Sequence, residues 1–323
     1  MRTKTIPNTQ LTPSVLCLGT SDLGSTIERE TSFSMLDAFY AAGGTFFDSA
    51  KVYANWLPGE RSVSEKTLGA WVNSRQLRDQ VMIATKGAHP ELHSMHIARM
   101  SPAEITGDLE DSLRHLQMER IDLYWLHRDD SQRPVAEILE TLQAQVRAGK
   151  IRYYGCSNWH PHRIQAAQAY ARQHGMDGFV ADQPLWNLAK VEAAALADPT
   201  NVVMDAALWD LHQTSGMACI PFSSQANGFF HKLESGQTAR ISANHQKMYL
   251  TAENQARAAR VQTIKAQTGL STTQVVLGYL LGQPFPTFPV VGPHRMEQLT
   301  DTLSAADICL SAEQVAFLEG RSF

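Results

Sequence analysis

Short apolar runs recur along the chain, and most are followed by a longer stretch in which apolar residues return at helical spacing. The runs are SVLCLG, GTFFDS, QVMIATK, IDLYWLH, IRYYGCS, GFVADQP, MACIPFS and FPTFPVVG. Strand-like runs alternating with helical stretches predict a parallel sheet covered by helices. Eight of them are enough to close an α/β barrel, whose functional residues belong at the C-terminal ends of the strands.

Several helices are legible at their ends. SPAEITGDLEDSLRHL opens with Ser101 as N-cap, Pro102 at the first helical position and Glu104 completing a capping box. Ile105, Leu109, Ser112, Leu113 and Leu116 then form one apolar stripe. A second helix is expected from Pro134 to Gly149 and a third from Pro161 to Gly175. The polar stretch 231 to 250 follows the seventh run and lacks one clean period, so it is expected to be a mostly irregular excursion over the rim.

No sequence repeat, low-complexity linker or change of composition divides the chain. The expectation is one (α/β)8 barrel domain over residues 1–323, with an excursion at about 225–250 and a C-terminal helical tail. A doubly wound nucleotide-binding sheet would carry GxGxxG after its first strand; LCLGTSDLGST has Gly19 and Gly24 at a different spacing.

Lys and Arg total 28 against 32 Asp and Glu, a formal charge of −4, which removes the electrostatic argument for nucleic acid. Cys17, Cys156, Cys219 and Cys309 are far apart with no CxxC pair, and are expected to be buried thiols in a reducing compartment. There is no metal-ligand spacing. The start MRTKTIPNTQ has no following apolar segment, and no run approaches the length of a membrane span, so a cytoplasmic protein is expected.

The polar residues that end the runs are informative. Asp48 ends the second, Lys86 the third and His127 the fourth; Ser157 and Asn158 follow the fifth, Gln183 ends the sixth and Ser223 the seventh. In a barrel these converge on one mouth, and an Asp, a Lys and a His on adjacent strands make a candidate site.

The ordered set FFDSAKVY, GERSVSEKTLG, IATK, LRHLQMERIDLYWLH, GKIRYYGCSNW and DQPLWNL resembles the aldo-keto reductases, NAD(P)H-dependent carbonyl reductases built on this barrel. The resemblance spans about residues 11 to 320. It implies a catalytic tetrad of Asp48, Tyr53, Lys86 and His127. Carbonyl reduction needs a proton at oxygen, and a nearby Lys86 cation would lower the tyrosine pKa, with Asp48 orienting the ammonium and His127 the substrate. For the cofactor the resemblance implies Gly19, Thr20 and Asp48, then Ser157, Asn158 and Gln183 at the carboxamide and Trp186 against the nicotinamide ring. It implies Ser223, Gln225, Asn227 and Gly228 at the pyrophosphate, although Ser224 and Gln225 stand where Pro and Leu are common. Arg295, Gln298, Asp301 and Thr302 are implied at the adenosine end, where Arg295 favours NADPH while NADH stays possible.

Trp56 and Trp159, beside Tyr53 and Asn158, are expected to line a substrate pocket together with His127. A small polar or sugar-derived carbonyl compound is the expected substrate. Two other functions stay open: a catalytically weak NAD(P)H-binding regulatory subunit, and an aldolase using Lys86 as a Schiff-base amine. Oligomeric state is not legible.

Overall fold

Every one of the eight apolar runs contains a strand in the computed structural model, which describes residues 1–321. Positions 322 and 323, the end of the expected domain, lie outside the described residues. The strands are β1 Cys17–Gly19, β2 Phe46–Asp48, β3 Met82–Gly87, β4 Ile121–Leu126, β5 Ile151–Ser157, β6 Ala181–Gln183, β7 Ala218–Cys219 and β8 Val290–Val291. All pair in parallel, in the order β7-β6-β5-β4-β3-β2-β1-β8. The ring closes where Cys219 N donates to Pro286 O at 2.8 Å and Phe288 N to Cys219 O at 2.9 Å. The result is an (α/β)8 barrel.

Five helices cover the first half: α1 Arg29–Ala41, α2 Val63–Arg75, α3 Pro102–Leu116, α4 Val135–Arg147 and α5 Pro161–Gln173. The second half carries α6 Ala206–Ser215, α7 Phe229–Glu234, α8 Ala243–Tyr249, α9 Ala252–Thr268, α10 Thr272–Leu281, α11 Met296–Leu303 and α12 Ala312–Glu319. The Ser101–Glu104 capping box at the start of α3 is present, and the buried face of α3 contains the expected stripe plus Asp108.

Strand alternation divides the apolar residues into two layers. Phe46, Met82, Ala84, Leu123, Trp125, Ala181, Ala218 and Phe288 pack inside the barrel. Phe47, Ile83, Tyr124, Tyr154 and Cys156 pack outward against the helices, with Phe47 edge-on to Phe39 at 5.3 Å between ring centroids. The chain before β1 adds an unforeseen hairpin, held by Ile6 N to Leu11 O at 2.9 Å, which sends Ile6 and Leu11 into the interior cluster.

Two expectations need correction. The excursion is largely helical: it contains α7, a 3-10 turn at Thr238–Arg240, and α8, whose N-cap Ser242 accepts from His245 N. The two helices bury separate faces, Phe229 and Phe230 on one and Met248 and Tyr249 on the other, and the turn between them buries none, so no single period runs through the segment. Of the four cysteines, Cys17, Cys156 and Cys219 are buried on strands, but Cys309, in the connection between α11 and α12, is exposed.

Gly155 is required by packing. A Cβ there would meet Trp125 at 2.5 Å and Ala181 O at 2.7 Å, so only glycine leaves room for the indole inside the barrel. Gly107, on α3, faces open space. Gly155→Ala is therefore expected to destabilise by about 1–3 kcal/mol through overpacking. Gly107→Ala is expected to stabilise by about 1 kcal/mol through helix propensity. Urea unfolding of both variants checks the opposite signs.

Candidate active site

Inward alternation carries past the last apolar layer to the C-terminal mouth. Asp48 follows Phe46 in phase, Lys86 follows Met82 and Ala84, and His127 follows Leu123 and Trp125. Register then sets neighbours: Asp48 pairs with Ala84, and Lys86 with Trp125. Lys86 Nζ forms an ion pair with Asp48 Oδ2, both residues being about as buried as the core. The same ammonium donates to Ser49 O at 2.8 Å and to Tyr53 Oη at 2.8 Å. Three acceptors thus use the three donors of a lysine ammonium. Asp48 Oδ1 in turn accepts from Trp125 Nε1 at 3.0 Å and Gln183 Nε2 at 3.3 Å.

Tyr53 comes from the loop between β2 and α2, which turns back over the mouth through Tyr53 N to Ala50 O at 3.1 Å. Its ring centroid lies 5.9 Å from that of His127, and Lys86 Nζ lies 4.6 Å from the Tyr53 centroid. The structure therefore brings Asp48, Tyr53, Lys86 and His127 together. Because an ammonium only donates, the Tyr53 oxygen is the acceptor in this contact, and its own hydrogen remains free for another partner.

The electrostatics differ in one respect from expectation. Burial pushes the Tyr53 phenol above its ordinary value, and the Lys86 cation pulls it down without cancelling that effect. Burial alone would pull Lys86 down, but the Asp48 carboxylate and the Tyr53 oxygen outweigh it and hold the ammonium above its ordinary value. At neutral pH this is a protonated phenol beside a charged lysine. His127 is held well below the ordinary imidazole value, first by burial and then by the Arg128, His89 and Lys86 charges. Its Nδ1 is buried with no hydrogen-bond partner among the described residues.

The residues expected at the cofactor fall into groups. Ser157, Asn158 and Gln183 meet at the ends of β5 and β6, where Ser157 Oγ donates to Gln183 O at 2.8 Å. Asn158 adopts a left-handed backbone, φ 61°, and its side chain bridges His127 O at 3.2 Å and Val202 N at 3.0 Å. Gly19 ends β1, and buried Thr20 donates to Asp48 O at 3.1 Å. Trp186 is nearly enclosed, 6.0 Å from Tyr279 and 5.9 Å from Phe285 between centroids.

Beyond β7, Ser223, Ala226, Asn227 and Gly228 all have left-handed φ, between 49° and 74°. Gly228 N bonds Gln225 O at 3.0 Å, and Lys232 Nζ donates to Asn227 O at 2.8 Å. Lys232 thereby places a cation at the edge of this turn, a charge suited to an anion. At the start of α11, Arg295 and Gln298 are exposed, with Gln298 Oε1 accepting from His294 N at 2.8 Å. Asp301 instead accepts from Thr273 Oγ1 at 2.5 Å, and Thr302 is buried on the inner side of the helix. The donor set from Ser157 to Arg295 suits a carboxamide at one end and phosphate at the other, which fits NAD(P)H.

Trp56 stands 51% exposed at the rim, 6.2 Å from the Tyr53 ring between centroids. Trp159 lies elsewhere. It is fully buried in the layer between barrel and helices, donates Nε1 to Arg128 O at 3.1 Å and packs edge-on to Phe179. The outward phase of the chain after Asn158 takes it away from the mouth.

Trp125 and His89 were missed by the sequence reading, whereas Arg128 directly follows His127 in LHRDD. Trp125 is legible in hindsight, since alternation puts it in phase with His127. His89 lies 4.8 Å from His127 between ring centroids, and its Nδ1 contacts Pro90 O at 2.6 Å. Arg128 reaches from His127 O at 2.8 Å to Asp198 Oδ2 at 2.7 Å, tying β4 to the loop before α6. Neither lies on a strand, so no alternation announces them.

His89 has a consequence for stability. Burial first, then the Arg128 charge, lower its pKa from 6.5 to about 4. Between these values the unfolded chain takes up a proton that the folded protein refuses, so stability is kept above 6.5 and lost as pH falls. From about pH 7 to about pH 4.5 the loss due to His89 is on the order of 2–3 kcal/mol. His89→Gln should flatten the pH dependence of the urea unfolding free energy by that amount; an unchanged slope contradicts the assignment.

Comparison with known proteins agrees with this architecture. A sequence model of the Aldo/keto reductase family matches residues 15–321. Over 318 residues the chain is 30% identical to the uncharacterized oxidoreductase YrpG of Bacillus subtilis, covering 96% of this chain and 92% of that protein. It is 31% identical to an aryl-alcohol dehydrogenase [NADP(+)] of Phanerodontia chrysosporium, covering 91% and 76% respectively. It is 30% identical to norsolorinic acid reductase B of Aspergillus parasiticus, covering 97% and 82%. Among the described residues no helix is long and apolar enough to cross a membrane. The chain belongs to the aldo/keto reductase family, whose members are NAD(P)H-dependent oxidoreductases acting on carbonyl compounds.

Proposed function

We propose that the protein reduces an aldehyde or ketone to the alcohol with Tyr53 as proton donor and NADPH as the preferred cofactor. The observation that carries this reading is the single cluster in which Lys86 is ion-paired to Asp48 and donates to Tyr53 Oη at 2.8 Å. Bound NADPH supplies the hydride.

The protein's own residues handle the oxygen. Tyr53 keeps its proton at neutral pH and, with its oxygen already accepting from Lys86, offers that proton toward the mouth. As the proton leaves, the Lys86 ammonium stabilises the phenolate it has been facing. His127 is neutral, and a ring N–H at its buried Nδ1 would be an orphaned donor, so the ring proton belongs on Nε2. That N–H is the donor for the substrate oxygen. A charged Lys86 is also a poor Schiff-base nucleophile, which disfavours the aldolase reading.

Ser157, Asn158 and Gln183 are assigned to the carboxamide, Trp186 to the nicotinamide face, and the loop 223–228 with Lys232 to the pyrophosphate. Arg295, exposed and without an ion-pair partner among the described residues, is assigned to the 2′-phosphate. Asp301 and Thr302 are engaged within the fold and receive no role. For the substrate, the burial of Trp159 leaves Trp56 as the tryptophan at the mouth, and an exposed indole suits a flat apolar ring. With two relatives named for an aryl alcohol and for norsolorinic acid, an aromatic carbonyl compound replaces the sugar-derived one as the favoured substrate.

Tyr53→Phe is expected to bind NADPH as the parent does but to lose roughly 100-fold or more in the rate of aldehyde reduction. Cofactor oxidation followed over a panel of aromatic, aliphatic and sugar-derived aldehydes tests this. A variant at the parent rate contradicts the role of Tyr53, and a parent that binds NADPH but reduces nothing on the panel supports the regulatory reading instead. Arg295→Ala should raise the KM for NADPH by roughly tenfold while sparing NADH, since it removes one charge-assisted contact; equal effects on both would remove Arg295 from the phosphate site.

A further inference from the structure

Asp108 is a buried carboxylate outside the tetrad, on the inner face of α3. Its partners are all donors. Oδ1 accepts from Lys51 Nζ at 2.6 Å and Arg99 Nη2 at 3.1 Å, and Oδ2 accepts from Ala88 N at 2.9 Å and Arg99 Nη1 at 3.0 Å.

These donors belong to the two segments that carry the tetrad's proton machinery. Lys51 lies between Asp48 and Tyr53; its amide donates to Lys86 O at 3.0 Å and its carbonyl accepts from Ser62 Oγ at 2.8 Å. Ala88 lies two residues past Lys86 and holds a left-handed φ of 57°, a conformation costly for a residue with a Cβ. Arg99 extends the clamp, donating to His89 O at 3.1 Å. On the solvent side is a cavity of roughly 280 Å³ lined by Lys51, Asn55, Ser62, His89, Arg99 and Asp108. Beside that cavity the loops are held by these ionic contacts, with Lys51 Nζ also 2.7 Å from Asp111 Oδ2, together with the hydrogen bonds just named.

We propose that Asp108 is a positioning residue: through Lys51, Ala88 and Arg99 it clamps the Tyr53 loop to the end of β3, and so sets the separation of the Tyr53 phenol from Lys86. The inference rests on the reading of Tyr53 as proton donor. Neither Asp108 nor Lys51 touches the reacting atoms. An asparagine cannot substitute, because both carboxylate oxygens face donors, and either orientation of the amide turns an NH2 toward Lys51 and Arg99 or toward Ala88 N and Arg99.

The test compares Asp108→Asn, Lys51→Met and the conservative Lys51→Arg with a control on the exposed side of α3, Glu110→Gln. Single-turnover aldehyde reduction, the KM for NADPH and amide hydrogen exchange are measured on each full-length protein. Asp108→Asn and Lys51→Met should lose roughly 10- to 100-fold in turnover with little change in KM, as small misplacements of reacting groups do. Lys51→Arg should keep most of the rate and Glu110→Gln all of it. Exchange should quicken in residues 50–57 and 87–99 and nowhere else. Parent-level turnover in Asp108→Asn overturns the proposal, as does a loss accompanied by faster exchange throughout the chain. If the parent protein reduces no aldehyde, the functional reading fails by itself. Exchange then judges the clamp alone: quickening confined to the two loops upholds it, and an unchanged pattern removes it.

Discussion

The buried ion pair between Lys86 and Asp48 is the interaction on which the rest of the site depends. Withdrawing both charges from water costs several kcal/mol per ion, and their attraction offsets this only when the remaining hydrogen-bonding capacity is also filled. Here it is filled. Ser49 O and Tyr53 Oη take the other lysine donors, and Trp125 and Gln183 supply donors to the second carboxylate oxygen. A lysine so satisfied stays charged, and a charged lysine fixes Tyr53 as the acceptor in their contact. The hydroxyl proton is thereby left free for another partner.

Satisfying that pair constrains distant parts of the barrel. Trp125 reaches Asp48 only because Gly155 on β5 leaves space beside it, and Gln183 reaches it from β6. The tyrosine comes from a loop, not a strand, so its placement depends on what holds that loop down. Sheet register positions Asp48, Lys86 and Trp125 rigidly, whereas Tyr53 is positioned by hydrogen bonds and by the charges around Asp108. The division suits the proposed chemistry: the buried charges are on the sheet, and the proposed proton donor is on a tethered loop.

Much of this was legible in the sequence, for a physical reason. Alternation in FFD, MIATKG and IDLYWLH carries inner-face residues in phase up to the mouth, so Asp48, Lys86 and His127 could be placed from the chain alone. Residues beyond the strands obey no such period. Trp159, one step past Asn158, turned into the core, and His89 and Asp108 were not anticipated because their partners come from other loops. The segment 231 to 250 hid its helices by dividing burial among elements too short to show a period. The net charge state was also out of reach, since the balance between burial and Lys86 at Tyr53 depends on enclosure that no motif encodes.

The coupling of Lys86 to the Tyr53 phenol is the central claim, and the pH dependence of single-turnover reduction in Lys86→Met tests it most directly. In the proposed reaction reduction needs the protonated phenol, so the rate should decline as pH rises through the Tyr53 pKa. In the parent, Lys86 draws that pKa down against burial. Without the cation, a slower reaction should remain whose alkaline decline has moved to higher pH. A decline at the same pH as in the parent, or a parent-level rate, would contradict the account.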